Sequence, residues 1–284
     1  NTSNICSFFL EKSLRLAKYV ALVFPKFLLN TPEFSTTRAE LAQKSVDAIL
    51  DFGEKGFPGI LVETIAIFIN NLAAPANTKV FSLTHRLHLT QPQAYIFDPE
   101  LPYWIIYRNQ LFDSVCRKLD FDVFEVFRDR QLTNKLLSSS GELRVLKSRN
   151  LSDDGKEILN IPGYDSYISY AAAKPLSVFQ YLDAPNVYLT PNMTYKPRMM
   201  KKPPHCVVNG SLAILIPKGG IVPTEKQLAY FSSEEYRAFY QIARNFQTRS
   251  LNVDACSVFF YGLLRDEAKP APEKFDTSVQ LSFL

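Results

Sequence analysis

Two stretches of this chain carry cations and no carboxylate. Between Pro185 and His205 stand Lys196, Arg198, Lys201 and Lys202; between Tyr236 and Val253 stand Arg237, Arg244 and Arg249. Tyr188, Tyr195, Tyr240 and Phe246 are interleaved with them, as are amides such as Gln247 and Asn252. Cations neutralise phosphates, and amides and hydroxyls reach base edges, so the pattern suits contact with double-stranded DNA. The competing reading is two solvated faces, because like charges often collect at a surface with no ligand. A second candidate is Phe57, an aromatic between Gly56 and Pro58 in the turn Gly53–Gly59. A side chain there has little core to join, and turns carry function.

Other constellations are weaker. Asp51, Glu54 and Lys55 loosely imitate the carboxylate and lysine set of a magnesium nuclease, but adjacent Glu and Lys project differently from a strand. His85 and His88 have a spacing that could serve a metal only on a helix, and their Leu and Thr neighbours favour a strand. Cys6, Cys116, Cys206 and Cys256 lie far apart and form no CxxC pair, so free thiols are expected and a metal site is not. The net charge of +4 is too small to diagnose a nucleic-acid binder by itself. The apolar run Tyr19–Phe24 is too short to span a bilayer and no signal peptide opens the sequence. The expectation is a cytoplasmic chain with no membrane partner.

The elements that must position these residues begin with a helix. NICSFFLEKSLRLAKY places Ile5, Phe8, Phe9, Leu14 and Leu16 near a helical period, with Ser3 or Asn4 as cap. YVALVF, ended by Pro25, fits a strand buried on both faces. Thr31-Pro32-Glu33 opens a second helix through about Gln43. Val46–Phe52 and Leu61–Ile69 then read as a strand pair around the Gly-rich turn. Helix, strand, helix, strand, strand is the second half of a doubly wound α/β domain that ends in an antiparallel hairpin. No Gly-rich ligand turn precedes residue 46, so the domain is expected to be incomplete without an earlier part. Asn70–Thr78 breaks both periodicities and is expected to mark the edge of this piece. Strand-like stretches follow at Val80–Leu89 and Ala94–Phe97, then helical spacing over Arg108–Phe124. Later come a strand at Ser211–Ile216 after an Asn209-Gly210 turn, and a helix at Ser233–Arg244 followed by a polar loop.

Taken together, Asn4–Lys12, VFPKFLL and Ile49–Glu54 with Gly56-Phe57-Pro58 and a closing strand resemble gamma-class adenine-N6 DNA methyltransferases, in the stretches that follow the catalytic Asn-Pro-Pro-Tyr motif. The C-terminal part, with Leu143–Leu151, NGSLAIL and Thr248-Arg249-Ser250-Leu251-Asn252, resembles target recognition domains of such enzymes, in particular those accompanying type IIS restriction enzymes. The resemblance implies a Rossmann-like methyltransferase piece over 1–72, a connector over 73–127 and an α+β target recognition domain over 128–284. It implies S-adenosylmethionine as cofactor, with Phe9 packing on the cofactor's adenine, and Phe57 stacking on the flipped target base. The DNA contacts would fall on Lys196, Arg198, Lys201, Lys202, Arg244, Gln247, Arg249 and Asn252. No Asn-Pro-Pro-Tyr is present. Asp98-Pro99-Glu100-Leu101-Pro102-Tyr103 departs from it and follows Phe57 where the family order requires it to precede, so it reads as a turn. Methyl transfer would then need an N-terminal methyltransferase part, on this chain or another. The alternative is a non-catalytic specificity subunit that guides a partner enzyme.

Overall fold

The structure is a computed structural model that describes residues 4–59, 61–247 and 252–266. These divide into two compact units, one of residues 4–114 with 241–247 and one of residues 115–240 with 252–266.

In the first unit the helical period near the start forms α1 (Ile5–Leu16), capped by the Asn4 side chain on the Cys6 N–H. Apart from Leu10, its large apolar residues do not face inward as an amphipathic pattern would suggest. Ser7 and Leu10 are buried, whereas Ile5, Phe8, Phe9 and Leu16 are exposed. The all-apolar run becomes β1 (Tyr19–Pro25). Thr31-Pro32 starts a 3-10 turn that leads into α2 (Ser35–Ala42). Thr31 does not cap it through its side chain; its hydroxyl donates to the Phe27 carbonyl instead. β2 (Ser45–Gly53) and β3 (Thr64–Asn70) form the expected antiparallel hairpin around the Gly-rich turn.

The segment after Asn70 does more than connect. β4 (Asn77–Ser82) lies parallel to β2, and β5 (Leu87–Pro92) lies antiparallel to β4. The result is a mixed five-stranded sheet of order β1-β3-β2-β4-β5, so the break at Asn70–Thr78 is a loop inside this unit. Ala94–Phe97, expected as a strand, holds a single helical turn, α3 (Gln93–Ile96). One sheet face buries Val20, Phe24, Ile65, Ile67, Ile49 and Val80. The opposite face leaves Tyr19, Val23 and Phe68 exposed. Asp98 accepts the Glu100 N–H and pairs with Arg108, a turn as expected.

The helical spacing over Arg108–Phe124 yields α4 (Gln110–Lys118), within which the division between the units falls. The second unit continues with β6 (Leu119–Asp120), β7 (Phe124–Phe127), β8 (Leu143–Leu146) and β9 (Ser166–Ile168). After the short α5 (Tyr170–Ala173) come β10 (Tyr188–Pro191), β11 (Met200–Lys201), β12 (Cys206–Val208) and β13 (Leu212–Pro217). The helices α6 (Glu225–Tyr230) and α7 (Glu234–Ala243) and the strand β14 (Leu263–Leu264) complete the elements, α7 running across the second division between the units. A four-stranded antiparallel sheet of order β11-β10-β13-β7 and a three-stranded mixed sheet of order β12-β8-β9 share one core. Leu189, Leu212 and Ile214 of the first meet Leu143, Val145, Val207 and Ile168 of the second there.

Candidate functional site

The hairpin turn between β2 and β3 has a fixed base and an open tip. Gly53 has φ of 56°, and a Cβ on it would lie 2.3 Å from the Thr84 hydroxyl. A Cβ on Gly56 would meet the Thr64 hydroxyl at the same distance. Gly59, at φ 78°, has open space around it. Only glycine combines the left-handed backbone with such an approach at Gly53. Phe57 stands beyond this base, 46% exposed.

Below the turn is a cavity of about 400 Å³ whose lining includes Lys26, Gly53, Lys55, Glu63, His85 and Phe246. Its floor is ionic. The Lys26 ammonium donates to Asp51 at 2.6 Å and lies 3.5 Å from Glu63, all three being almost fully buried. Asp51 also accepts from the Gly53 N–H and from the Tyr107 hydroxyl. Burial first, and the Asp51 carboxylate next, push the Tyr107 phenol well above its usual range, so it remains a donor. The wall is aromatic: Phe246 lies 4.5 Å from His85 and 5.1 Å from Tyr107, centroid to centroid. Burial, then the Lys26 charge, lower the His85 pKa against the opposing pull of Asp51 and Glu63, which keeps the ring neutral at pH 7.

This floor disposes of the nuclease imitation, because Asp51 turns into the Lys26 pair and away from solvent. His88 sits on β5, stacked on Phe81 at 4.4 Å. Among the described residues no group of three His, Cys, Asp or Glu could hold a metal, none of the cysteines forms a disulfide, and no helix is long and apolar enough to cross a membrane.

The cations expected to meet DNA divide sharply. Lys196 and Lys201 are exposed, Lys196 in a surface ion pair with Asp153. Arg198 and Lys202 are buried. Arg198 donates to the carbonyls of Lys196, Ser148 and Leu151, and Lys202 to those of Leu182 and Pro203. Burial lowers the pKa of both. Arg244 is buried as well, and Gln247 donates to the Lys26 carbonyl and to Asn30 inside the first unit. Arg198, Lys202 and Gln247 are therefore internal supports and not surface contacts, since reaching a phosphate would leave buried carbonyls or amides unpaired, and Arg244 is placed inside by its burial. Asn252 accepts from Asn192 at 2.8 Å and is partly exposed. Arg249 lies outside the described residues.

The buried Lys26, Glu63 and Tyr107 group is absent from the sequence-derived site. Its one signal is a lysine set inside the apolar stretch VFPKFLL, which must find a buried partner or a carbonyl if that stretch is core.

No known protein family matches the chain, and no curated protein does. Among solved structures it is similar to the type IIG restriction endonuclease BpuSI, at 9% identity and a TM-score of 0.36. The match covers 90% of this chain and 41% of that one, so the chain spans about two fifths of that protein's length.

Proposed function

We propose that the chain is the target-recognising part of an adenine-N6 DNA methyltransferase of a restriction-modification system. The observation that carries this is the β2–β3 turn: it presents the exposed aromatic Phe57, and its residues Gly53 and Lys55 line the cavity. A flat face in that position suits stacking on a base taken out of its duplex, which needs no particular hydrogen bonds. The cavity volume is within the range usual for small-ligand sites.

The residues present do not by themselves fit S-adenosylmethionine. Phe9 offers one exposed aromatic wall on α1, and there is no Gly-rich loop to approach the ligand. Methyl transfer is therefore assigned to an assembly with an N-terminal methyltransferase part carrying Asn-Pro-Pro-Tyr. Two features support such a partner. Among the described residues β1 is an edge strand, and its residues Tyr19–Phe24 include no charge to block further pairing. Beside it, α1 presents Ile5, Phe8, Phe9 and Leu16 to solvent. A specificity subunit that performs no chemistry would share such a docking face but would have no use for the exposed Phe57.

In the assembled enzyme, Phe57→Ala should leave duplex affinity nearly unchanged and slow methyl transfer by roughly one to two orders of magnitude, since base stacking is worth about 1–3 kcal/mol. Tyr or Trp at the position should restore most of the rate. 2-Aminopurine at the target site should report a changed stack in Phe57→Ala. A normal methylation rate in that variant would reduce Phe57 to a turn residue.

A further inference from the structure

The end of β8 carries a cationic arrangement separate from the two acid-free stretches. Lys147 follows the strand, and Ser148–Asn150 form a 3-10 turn. Asn150 is fully buried. Its amide oxygen accepts the Lys147 N–H at 2.9 Å, and its amide nitrogen donates to Leu159 O at 3.0 Å and Asp165 Oδ1 at 2.7 Å. The Ser148 N–H is held by the Ser211 hydroxyl at 2.9 Å. From below, the buried Arg198 guanidinium donates to the carbonyls of Ser148 and Leu151, one on each side of Arg149. Six hydrogen bonds thus fix a turn whose outward residue is Arg149.

Arg149 and Lys147 meet over one ring. The Lys147 ammonium lies 3.9 Å and the Arg149 guanidinium carbon 4.7 Å from the centroid of Tyr164. Lys147 is tethered by bonds to Tyr164 O and Ser166 Oγ, whereas Arg149 is exposed. Asp165 is turned to other partners: one oxygen takes Asn150, and the other takes Arg144 at 3.0 Å and the Ile161 N–H, so its charge reaches Lys147 only at longer range. Among the described residues neither Lys147 nor Arg149 makes an ion pair within 4.0 Å. Burial first lowers the Lys147 pKa, the Asp165 charge opposes it, and Arg149 lowers it further by a smaller amount. Two like charges on one ring with no carboxylate in direct contact gain from an arriving anion.

We propose that Lys147, Arg149 and Tyr164 form a phosphate-binding corner that takes a backbone phosphodiester of duplex DNA, which presupposes the DNA-binding function proposed above. The planar guanidinium of Arg149 can engage two phosphate oxygens at once. Lys147 adds charge, and Tyr164 keeps both cations aligned. A duplex is favoured over a free anion because the guanidinium stands open to solvent, suited to an extended polyanion that slides past. In this arrangement Arg198, expected from the sequence to touch DNA itself, acts as a positioning residue for Arg149.

The test is fluorescence anisotropy of a labelled mixed-sequence duplex with the full chain across a salt series. Arg149→Gln should weaken binding and reduce the slope of log K against log salt by about one unit, and Arg149→Lys should restore the slope. Arg198→Met should lose the same increment. Arg149 is exposed, so its variants should melt with the parent; if Arg198→Met melts early, the Arg149 pair alone decides. If Arg149→Gln keeps the parental slope while Lys196→Gln and Lys201→Gln reduce it, the corner is refuted and the DNA-binding function stands. If the parent binds no duplex at low salt, both fall. Protection of the fold by inorganic phosphate that is abolished in Arg149→Gln, with an unchanged duplex slope, would make the corner a small-anion site and overturn the assignment to DNA.

Discussion

α1 and α7 are both amphipathic by sequence, and they use their apolar residues in opposite ways. Along α7, Tyr236, Phe239 and Tyr240 are buried against Phe231, Phe260 and Tyr261, with ring centroids 4.8 to 6.4 Å apart. The hydroxyls are satisfied too: Tyr236 donates to Phe260 O at 3.1 Å, and Tyr261 donates to Tyr240 at 3.1 Å. On α1 the aromatic residues point to solvent, and the buried positions are held by Ser7 and Leu10, with the Ser7 hydroxyl bonded to Thr37. Apolar periodicity reveals that a helix has a face to cover; it does not say which polypeptide covers it.

The contrast breaks most visibly in stability. Phe239→Ala should cost about 3–5 kcal/mol, as large aromatic truncations in a packed core do. Phe9→Ser should stay within about 0.5 kcal/mol of the parent. Urea denaturation of both variants measures the difference, and equal losses would abolish the distinction between the helices. A binding experiment sharpens it. With a separately produced methyltransferase part bearing Asn-Pro-Pro-Tyr, Phe8→Ser with Phe9→Ser should weaken association about thirty-fold or more, the size of an interfacial hot spot. An unchanged affinity would mean that α1 is covered by something else.

A cofactor measurement is the next smaller test. Calorimetry of the chain by itself should detect no micromolar binding of S-adenosylmethionine, because Phe9 supplies only one wall; clear micromolar heat would show that a complete pocket exists within these residues. The smallest effect concerns His85. Its folded pKa is lowered by burial and by Lys26, so the folded chain resists a proton that the unfolded chain accepts near the usual pKa of about 6.5. Its contribution to stability is therefore present above that pH and fades as pH falls from there toward the folded value. NMR titration of the His85 ring should place its midpoint below that of a free histidine, and a midpoint above it would reverse the sign.

The sequence was most informative where the signal is local. The cap at Asn4, the hairpin over 45–70 and the helix beginning near Ser233 all follow from spacing and turn chemistry within a few residues. It was least informative where the partner is distant or anonymous. β4 and β5 join β2 by pairing across the loop at Asn70–Thr78, and no residue in those strands specifies that neighbour. Arg198 and Lys202 look like surface cations because no acid is near, yet their partners are backbone carbonyls, which every residue owns and no composition displays. Lys26 was visible as a charge in an apolar stretch, but Asp51, Glu63 and Tyr107 reach it from separate segments.

The glycines of the β2–β3 turn have one more consequence, for protein engineering. Gly53 and Gly56 cannot accept a side chain without displacing Thr84 or Thr64, whereas nothing stands near Gly59. The turn is therefore a cassette with a fixed socket and an interchangeable end. Even there Gly59, at φ 78°, would strain any L side chain despite the open space, so substitutions and insertions that leave both strands in register belong at positions 57 and 58.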